Sequence, residues 1–117
     1  MKKHDVLVAL AALAQYNRLD IFRLLVEAGP DGLSAGKVSE KLGLAPNTLT
    51  FHFDRLRMAG LVTVRREGRS MIYAAQYEAM NALLGYLTEN CCQGRSCAPA
   101  KRRAAAQPAA GRREKVT

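Results

Sequence analysis

Residues 34–59 are predicted to form two short helices joined by a tight turn, and this pair constrains the fold more than any other part of the chain. Each helix has its own start and stop signals, which are Ser34 and Gly43 for the first helix and Pro46 and Gly60 for the second. The apolar residues expected to face inward are Val38 and Leu42 in the first helix and Leu49, Phe53 and Leu56 in the second. This arrangement is typical of a helix-turn-helix.

Apolar spacing predicts three further helices. The first covers the apolar run at residues 6–14, the second is expected at 18–28 with Asn17 as its cap, and the last at 77–90. Their predicted apolar faces are Val6, Leu7, Leu10, Leu13 and Ala14 in the first helix, Leu19, Phe22, Leu25 and Val26 in the second, and Met80, Leu83, Leu84 and Leu87 in the last.

A β-hairpin is predicted between the helix pair and the last helix. The β-prone segments 61–66 and 69–74 meet at Glu67 and Gly68, which fit a tight turn. The sequence therefore predicts a mainly α fold with a β-hairpin, in the order α-α-α-α-β-β-α.

A helix-turn-helix followed by a basic hairpin is physically suited to double-stranded DNA. The second helix can enter a major groove while the hairpin reaches the backbone or the minor groove. The side chains that can contact bases or phosphates are Asn47, Thr48, Thr50, His52 and Arg55 on the helix and Arg65, Arg66 and Arg69 on the hairpin. Two simpler interpretations stay open: the arginines can merely solvate the hairpin, and His52 can be an ordinary surface or half-buried histidine.

All three cysteines of the chain, Cys91, Cys92 and Cys97, lie within seven residues just after the last predicted helix. Three thiolates without an obvious fourth donor suit a soft ion that accepts three sulfurs better than they suit a tetrahedral zinc site. Four residues, including the flexible Gly94, separate Cys92 from Cys97, so one chain can supply all three sulfurs at little entropic cost. The alternatives are chance clustering or a reactive thiol pair that forms a disulfide.

The 117 residues suffice for one domain, and the formal charge of +8 is concentrated near the C-terminal end. Residues 98–117 contain six Lys or Arg against one Glu and almost no large apolar side chain, which is typical of a disordered tail. We expect a folded domain at 1–90, a cysteine loop at 91–97 and a basic tail at 98–117 that either assists polyanion binding or is simply solvated.

The N-terminal segment has the form of a secretion signal, because Lys2 and Lys3 precede an apolar run and residues 12–14 fit a cleavage site. However, Asp5 interrupts the basic start, and the helical spacing of the run favours an amphipathic first helix. No apolar run approaches the length needed to span a bilayer. We expect a cytoplasmic protein with no membrane partner, in which reducing conditions keep the cysteines as thiols.

Enzymatic chemistry has little support. Cys97 and Arg103 have the C-x5-R spacing of phosphatase and arsenate-reductase phosphate loops, but those loops need a strand before them and a helix after them. His4 and His52 suggest neither a zinc-binding helix pair nor a Cys/His couple. We expect no catalytic residue. A small thiol enzyme or arsenic carrier is the alternative from a different class, and it would lack salt-dependent DNA binding.

Residues 16–75 resemble the winged-helix core of the ArsR/SmtB metalloregulatory repressors. The segment NRLDIFRLL is similar to the family's second helix, SEKLGLAPNTLTFHFDRLRMAGLV to its helix-turn-helix, and RREGRSMIYAA to its wing. The resemblance implies a winged helix-turn-helix that binds operator DNA as a homodimer and represses its own operon until a toxic ion binds. It also implies a dimer contact through the first and last helices, whose apolar residues here include Leu7, Leu10, Leu13, Leu83, Leu84 and Leu87.

Departures from the family pattern bear on the ligand. The founding arsenic repressors carry a Cys-x-Cys type motif at the start of the recognition helix, where this chain has residues 45–47 without cysteine. The family's zinc sensors use histidine on the last helix, which here offers only Glu78 and Glu89. A vicinal cysteine pair followed by a third cysteine is similar to the subgroup that senses trivalent arsenic.

We therefore expect a non-enzymatic, arsenite-responsive repressor that needs no cofactor for DNA binding. Its inducer would be As(III), or the related Sb(III), held by Cys91, Cys92 and Cys97. The alternatives are a cadmium- or lead-responsive repressor, or a redox switch in which Cys91 and Cys92 form a disulfide.

Overall fold

Five α-helices and a three-stranded sheet make up residues Met1–Leu87, which form one compact unit in the computed structural model. The model describes residues 1–94. The helices are α1 (Lys3–Leu13), α2 (Tyr16–Ala28), α3 (Ala35–Leu42), α4 (Pro46–Met58) and α5 (Tyr77–Leu87), and the strands are β1 (Leu33–Ser34), β2 (Val62–Glu67) and β3 (Ser70–Ala75). The predicted winged helix-turn-helix fold and element order are confirmed, with β1 as an addition.

The sheet is antiparallel, with β3 between β1 and β2. Glu67 pairs with Ser70, so Gly68 and Arg69 form a two-residue loop. Gly68 takes a φ of +62°, which glycine adopts without the steric cost of a Cβ. The third strand was not predicted because β1 has only two residues, and its pairing with Tyr73 and Ile72 is a long-range contact that a local pattern does not reveal.

The hydrophobic core lies between the helices and one side of the sheet. Its fully buried large side chains are Ile21, Leu25, Val38, Leu49, Phe53, Leu56 and Leu61. The inward positions predicted for α3 and α4 are confirmed, with Leu42 half-buried against the core. The ring of Phe53 stacks on that of Tyr73, with centroids 3.7 Å apart and planes within 1° of parallel, which joins α4 to the hairpin.

The apolar faces predicted for α1 and α2 are partly wrong. Small residues of α1, Ala9 and Ala12, are buried with Val6, whereas Leu7 and Leu10 are exposed. Alanines let neighbouring helices approach closely, so the larger leucines are left on the outside. In α2 the buried residues are Ile21, Phe22 and Leu25, and Leu19 is 45% exposed.

Two helix ends also differ from the prediction. Gln15, and not Asn17, caps α2, because its side-chain oxygen accepts a hydrogen bond from the Arg18 N–H at 2.9 Å. Tyr16 and Asn17 therefore belong to the first turn. At the other end of the unit α5 ends at Leu87, three residues before the predicted end.

The described residues from Thr88 onward form a separate unit. A 3-10 turn covers Cys91–Gly94, where Cys92 and Gln93 have φ values of +56° and +59°, and Asn90 before it has +58°. Cys97 and the predicted basic tail lie outside the described residues. Within the described part, no helix is long and apolar enough to cross a membrane.

Candidate DNA-binding surface and cysteine turn

Local signals in the sequence fix the helix-turn-helix. Ser34 begins α3, its hydroxyl oxygen accepting from the Lys37 N–H at 3.1 Å, and Gly43 ends it in the left-handed conformation. The Ser39 hydroxyl donates to the carbonyl oxygen of Leu44 at 2.5 Å, which ties α3 to the turn. Pro46 at the first position of α4 has no N–H to leave unpaired. Short-range contacts thus define the ends of both helices and the turn between them.

The outer face of α4 presents most of the predicted DNA contacts. Asn47, Thr48, Thr50 and Arg55 are all exposed. The Asn47 side-chain oxygen accepts from the Thr48 N–H at 3.0 Å, and the Thr50 hydroxyl donates to the Pro46 carbonyl at 3.0 Å. These bonds hold both side chains in place while leaving the Asn47 amide nitrogen and a Thr50 lone pair available to a base edge or phosphate.

Arg55 is held on the same face by an aromatic ring. Its guanidinium carbon lies 5.0 Å from the centroid of the exposed Phe51 ring, a cation–π contact that orients the charge without neutralising it. The neighbouring Asp54 carboxylate, 3.4 Å from the Arg57 guanidinium, forms an exposed ion pair that contributes little to stability. Asp54 and Arg57 were not predicted as part of this surface, although their sequence positions place them there.

His52, which was predicted as a DNA contact, is buried in the structure. Its side chain is only 6% exposed, and its Nδ1 accepts a hydrogen bond from the Arg18 Nη1 at 3.3 Å. Burial, and then the nearby Arg18 charge, lower the pKa of His52 below its usual value. The ring is therefore neutral at pH 7. The buried position of His52 could have been deduced from the sequence, because residue 52 lies three residues after Leu49 and four before Leu56, and both leucines were predicted on the inward side of this helix.

Arg18 itself was overlooked by the sequence analysis. Its Nε donates to the Ala12 carbonyl oxygen at 2.6 Å, at the end of α1, while Nη1 reaches His52 on α4. The Arg18 side chain thus connects α1, α2 and α4, which is the recognition helix of the helix-turn-helix. No local motif marks it, since the contact with His52 spans 34 residues.

The three hairpin arginines have different surroundings. Arg65 is tied down, its Nε 2.7 Å from the Glu67 carboxylate and its Nη2 2.8 Å from the Asp31 carbonyl oxygen. The Arg66 Nε donates to the Gly68 carbonyl oxygen at 3.2 Å. Arg69, in the hairpin loop, makes no hydrogen bond or ion pair with any residue in the described range 1–94. Arg69 is therefore the hairpin cation most available to phosphate.

The cysteine turn brings two of the three predicted sulfur ligands into the described structure. Cys91 is half-buried and Cys92 exposed. The Cys91 N–H donates to the Thr88 carbonyl at 3.0 Å, and the Gly94 N–H donates to that of Asn90 at 3.2 Å, which closes the turn. Residues 1–94 contain no group of three or more His, Cys, Asp or Glu side chains that could hold a metal. The third predicted ligand, Cys97, lies outside this range.

Comparison with known proteins places the chain in a family. Residues 13–65 match the family model of a helix-turn-helix domain. The chain is 35% identical over 77 residues to the HTH-type transcriptional regulator YceK of Bacillus subtilis, covering 65% of this chain and 76% of that protein. It is 33% identical over 86 residues to HlyU of Vibrio cholerae, named a transcriptional activator, covering 74% of this chain and 77% of that protein. The chain belongs to the ArsR/HlyU family of transcriptional regulators.

Solved structures agree with this family assignment. The structure of HlyU from Vibrio cholerae superimposes with a TM-score of 0.61 at 31% identity, covering 80% of this chain and all of that one. A homodimeric winged helix-turn-helix DNA-binding domain from Mycobacterium bovis, a possible ArsR-family regulator, has a TM-score of 0.60 at 24% identity over 79% of this chain and 85% of that one. The second likeness concerns the fold alone. The relatives are named as transcriptional regulators and not as enzymes, so this family member is a transcriptional regulator with a helix-turn-helix domain.

Proposed function

We propose that this family member is an arsenite-responsive repressor that binds operator DNA as a homodimer in the cytoplasm. Trivalent arsenic, or antimony, is held by the thiolates of Cys91, Cys92 and Cys97, and binding releases the DNA. The observation that carries the proposal is the pair of adjacent cysteines in the turn at Cys91–Gly94, which the sequence follows with a third cysteine after four residues. Three thiolates match the three-coordinate preference of this soft ion.

The backbone of the turn supports a role in sensing. Asn90, Cys92 and Gln93 all take left-handed φ values without being glycine, and each such residue costs on the order of 1 kcal/mol. Such a turn is poised to rearrange when a ligand orders its sulfurs, which is the kind of segment that a small inducer can switch.

The outer face of α4 and the hairpin supply the proposed operator contacts. Asn47, Thr48, Thr50 and Arg55 read bases or phosphates, and Arg69 binds the backbone or the minor groove, with Arg65 and Arg66 in supporting positions. His52 is omitted from this set because it is buried. In a homodimer two such surfaces would meet half-sites one DNA turn apart.

The dimer is proposed to form through exposed leucines of the terminal helices. Leu7, Leu84 and Leu87 are each more than half exposed and Leu10 is 38% exposed, and large apolar side chains on a small domain commonly mark a partner surface. Leu13 is half-buried at the edge of this set. Leu83 lies in the core of its own chain.

A titration of the DNA-bound protein tests the proposal. A DNA fragment selected by the protein from random sequences is bound, and arsenite, antimonite, cadmium, lead, zinc and a thiol oxidant are added separately while DNA release is followed by fluorescence anisotropy. We expect release by arsenite and antimonite at concentrations where zinc has no effect. Release by cadmium or lead alone, or by the oxidant alone, would replace the arsenite proposal by one of its alternatives. A transcription assay with the same fragment separates repression from the activation named for HlyU.

A further inference from the structure

We propose that a groove between α1 and the recognition helix binds a small organic carboxylate with an apolar body, at a site separate from the cysteines. The groove has a volume of about 460 Å³, and pockets for small molecules commonly enclose about 300–1,000 Å³. Its lining residues are Val8, Ala11, Ala12, Arg18, Phe51, Arg55, Met58 and Ala59.

The composition of the lining identifies the ligand class. Six of the eight lining residues are apolar, two are arginines and none is acidic. An aromatic ring and a thioether at Phe51 and Met58 suit a flat apolar group. Two guanidinium groups without a carboxylate among the lining residues favour an anion, and a planar carboxylate matches the geometry of a guanidinium. An apolar anion therefore complements both parts of the groove.

Arg18 and Arg55 both have N–H donors that are not used within the described residues 1–94. Arg18 uses Nε and Nη1 for Ala12 and His52, which leaves several of its five N–H donors unused. Arg55 has only its cation–π contact with Phe51 and no hydrogen-bond acceptor within residues 1–94. The internal bonds of Arg18 also fix its position, so a carboxylate would meet a preorganised charge and lose less affinity to side-chain ordering.

The location of the groove gives such a ligand a consequence for DNA. Phe51, Arg55 and Met58 are residues of α4, and the carboxylate would draw on the same Arg55 guanidinium that is proposed to contact the operator. Ligand and DNA would then oppose each other, with reciprocal effects on their affinities. This consequence rests on the proposed function, whereas binding in the groove does not.

Binding is tested on the full-length protein without DNA or arsenite. The probe is 2-naphthoate, with the uncharged 2-naphthylmethanol and the cationic 2-naphthylmethylammonium as controls. Because the chain contains no Trp, the naphthyl fluorescence can be excited selectively. We expect a dissociation constant for 2-naphthoate below about 1 mM, with both controls at least about tenfold weaker. Absence of 2-naphthoate binding at 5 mM, or equal binding of all three probes, overturns the proposal.

Two matched variants locate the site. Met58 is 75% exposed, so Met58→Glu and Met58→Gln should both fold, which circular dichroism confirms. Met58→Gln removes the thioether contact and should weaken both probes moderately and alike, whereas Met58→Glu places a carboxylate in the groove and should weaken 2-naphthoate at least about tenfold more than Met58→Gln does while strengthening the ammonium probe. Equal effects of the two variants overturn the assignment to this groove. If the protein binds 2-naphthoate but ignores arsenite, the proposed function fails while the groove site stands.

Discussion

The Nη1 of Arg18 lies 3.3 Å from the Nδ1 of His52, and this contact joins the start of α2 to the buried side of the recognition helix. Since arginine can only donate, the imidazole Nδ1 must accept, which requires the neutral ring with its proton on Nε2. The Arg18 Nε bond to the Ala12 carbonyl extends the connection to α1. A polar link therefore runs from the proposed dimer helix to the proposed DNA-reading helix.

Protonation of His52 should destabilise the fold in acid. Burial lowers the pKa of His52 in the folded state below its unfolded value of 6.5. As pH falls below about 6.5, the unfolded chain gains a proton that the folded chain resists, so the free energy of unfolding decreases by up to about 1.4 kcal/mol per pH unit until the folded pKa is reached. Urea denaturation between pH 8 and pH 5 measures this slope. His52→Gln should reduce this slope. Equal slopes in wild type and His52→Gln would show that His52 is not the cause of the loss of stability in acid.

Gly32 is expected to be the glycine least tolerant of substitution in the sheet region. Its φ is +72°, and a Cβ there would overlap the carbonyl oxygen of Tyr73. Gly32→Ala should therefore lower the free energy of unfolding by more than the roughly 1–2 kcal/mol expected from the left-handed backbone alone. Gly43→Ala provides the matched control, since its φ is +68° but a Cβ would have open space. Thermal unfolding that shifts equally in the two variants would contradict the close approach of β1 to β3.

The exposed side chains of α4 should confer sequence specificity. Replacing Asn47, Thr50 or Arg55 by alanine should, for at least one of the three, cost about 1–3 kcal/mol at the selected DNA site while sparing random DNA. Because the cysteines are unchanged, arsenite stoichiometry should stay at the wild-type value. A variant that loses arsenite binding as well would place part of the sensor on α4.

Arg69 should instead contribute to affinity without specificity. Arg69→Ala should weaken binding to the selected site and to random DNA to similar extents and reduce the salt dependence by roughly one phosphate contact. Arg65→Ala is the comparison, because Arg65 already bonds Glu67 and Asp31 and should change the salt dependence less. Anisotropy titrations at several salt concentrations measure both. The reverse order of effects would show that the free energy of DNA binding depends on Arg65 and not on the loop.

The proposed dimer should depend on the exposed leucines of α5. Leu84→Glu places a charge in the apolar contact and should shift the protein toward monomer in sedimentation at micromolar concentration. Glu78→Lys, also exposed on α5 but on the side of the helix away from Leu87, is the control and should leave the dimer intact. Leu83 is unsuitable because it is buried in its own chain, so a charge there would disturb the fold. A monomeric wild-type protein would remove the basis of the two-half-site model.

The fold was predictable where short-range signals decide it. Ser34, Gly43 and Pro46 mark the helix-turn-helix in the sequence, and Leu49, Phe53 and Leu56 mark its buried side. The predictions are wrong where contacts between residues far apart in the sequence determine the structure. The use of alanines to pack α1 leaves Leu7 exposed, and β1 exists only through its pairing with β3.

The candidate site was likewise predictable where local spacing determines it and not where long-range contacts do. Asn47, Thr50 and Arg55 were placed on the exposed face of α4 by helical spacing alone, and the structure has them there. The inward position of His52 and its contact with Arg18 required knowledge of which side of α4 meets α2. The sulfur ligands remain a prediction from the sequence, since their chemistry comes from residue type and spacing.

The arsenite response of single cysteine variants tests the central claim most directly. Cys91→Ser, Cys92→Ser and Cys97→Ser are each bound to the selected DNA fragment and titrated with arsenite beside the wild type, with anisotropy reporting release. We predict that all three variants bind DNA with wild-type affinity and that none releases it at the arsenite concentration that frees the wild type, because the ion needs all three sulfurs. If any one variant still releases DNA at that concentration, its sulfur is not an essential ligand and the three-thiolate account is wrong.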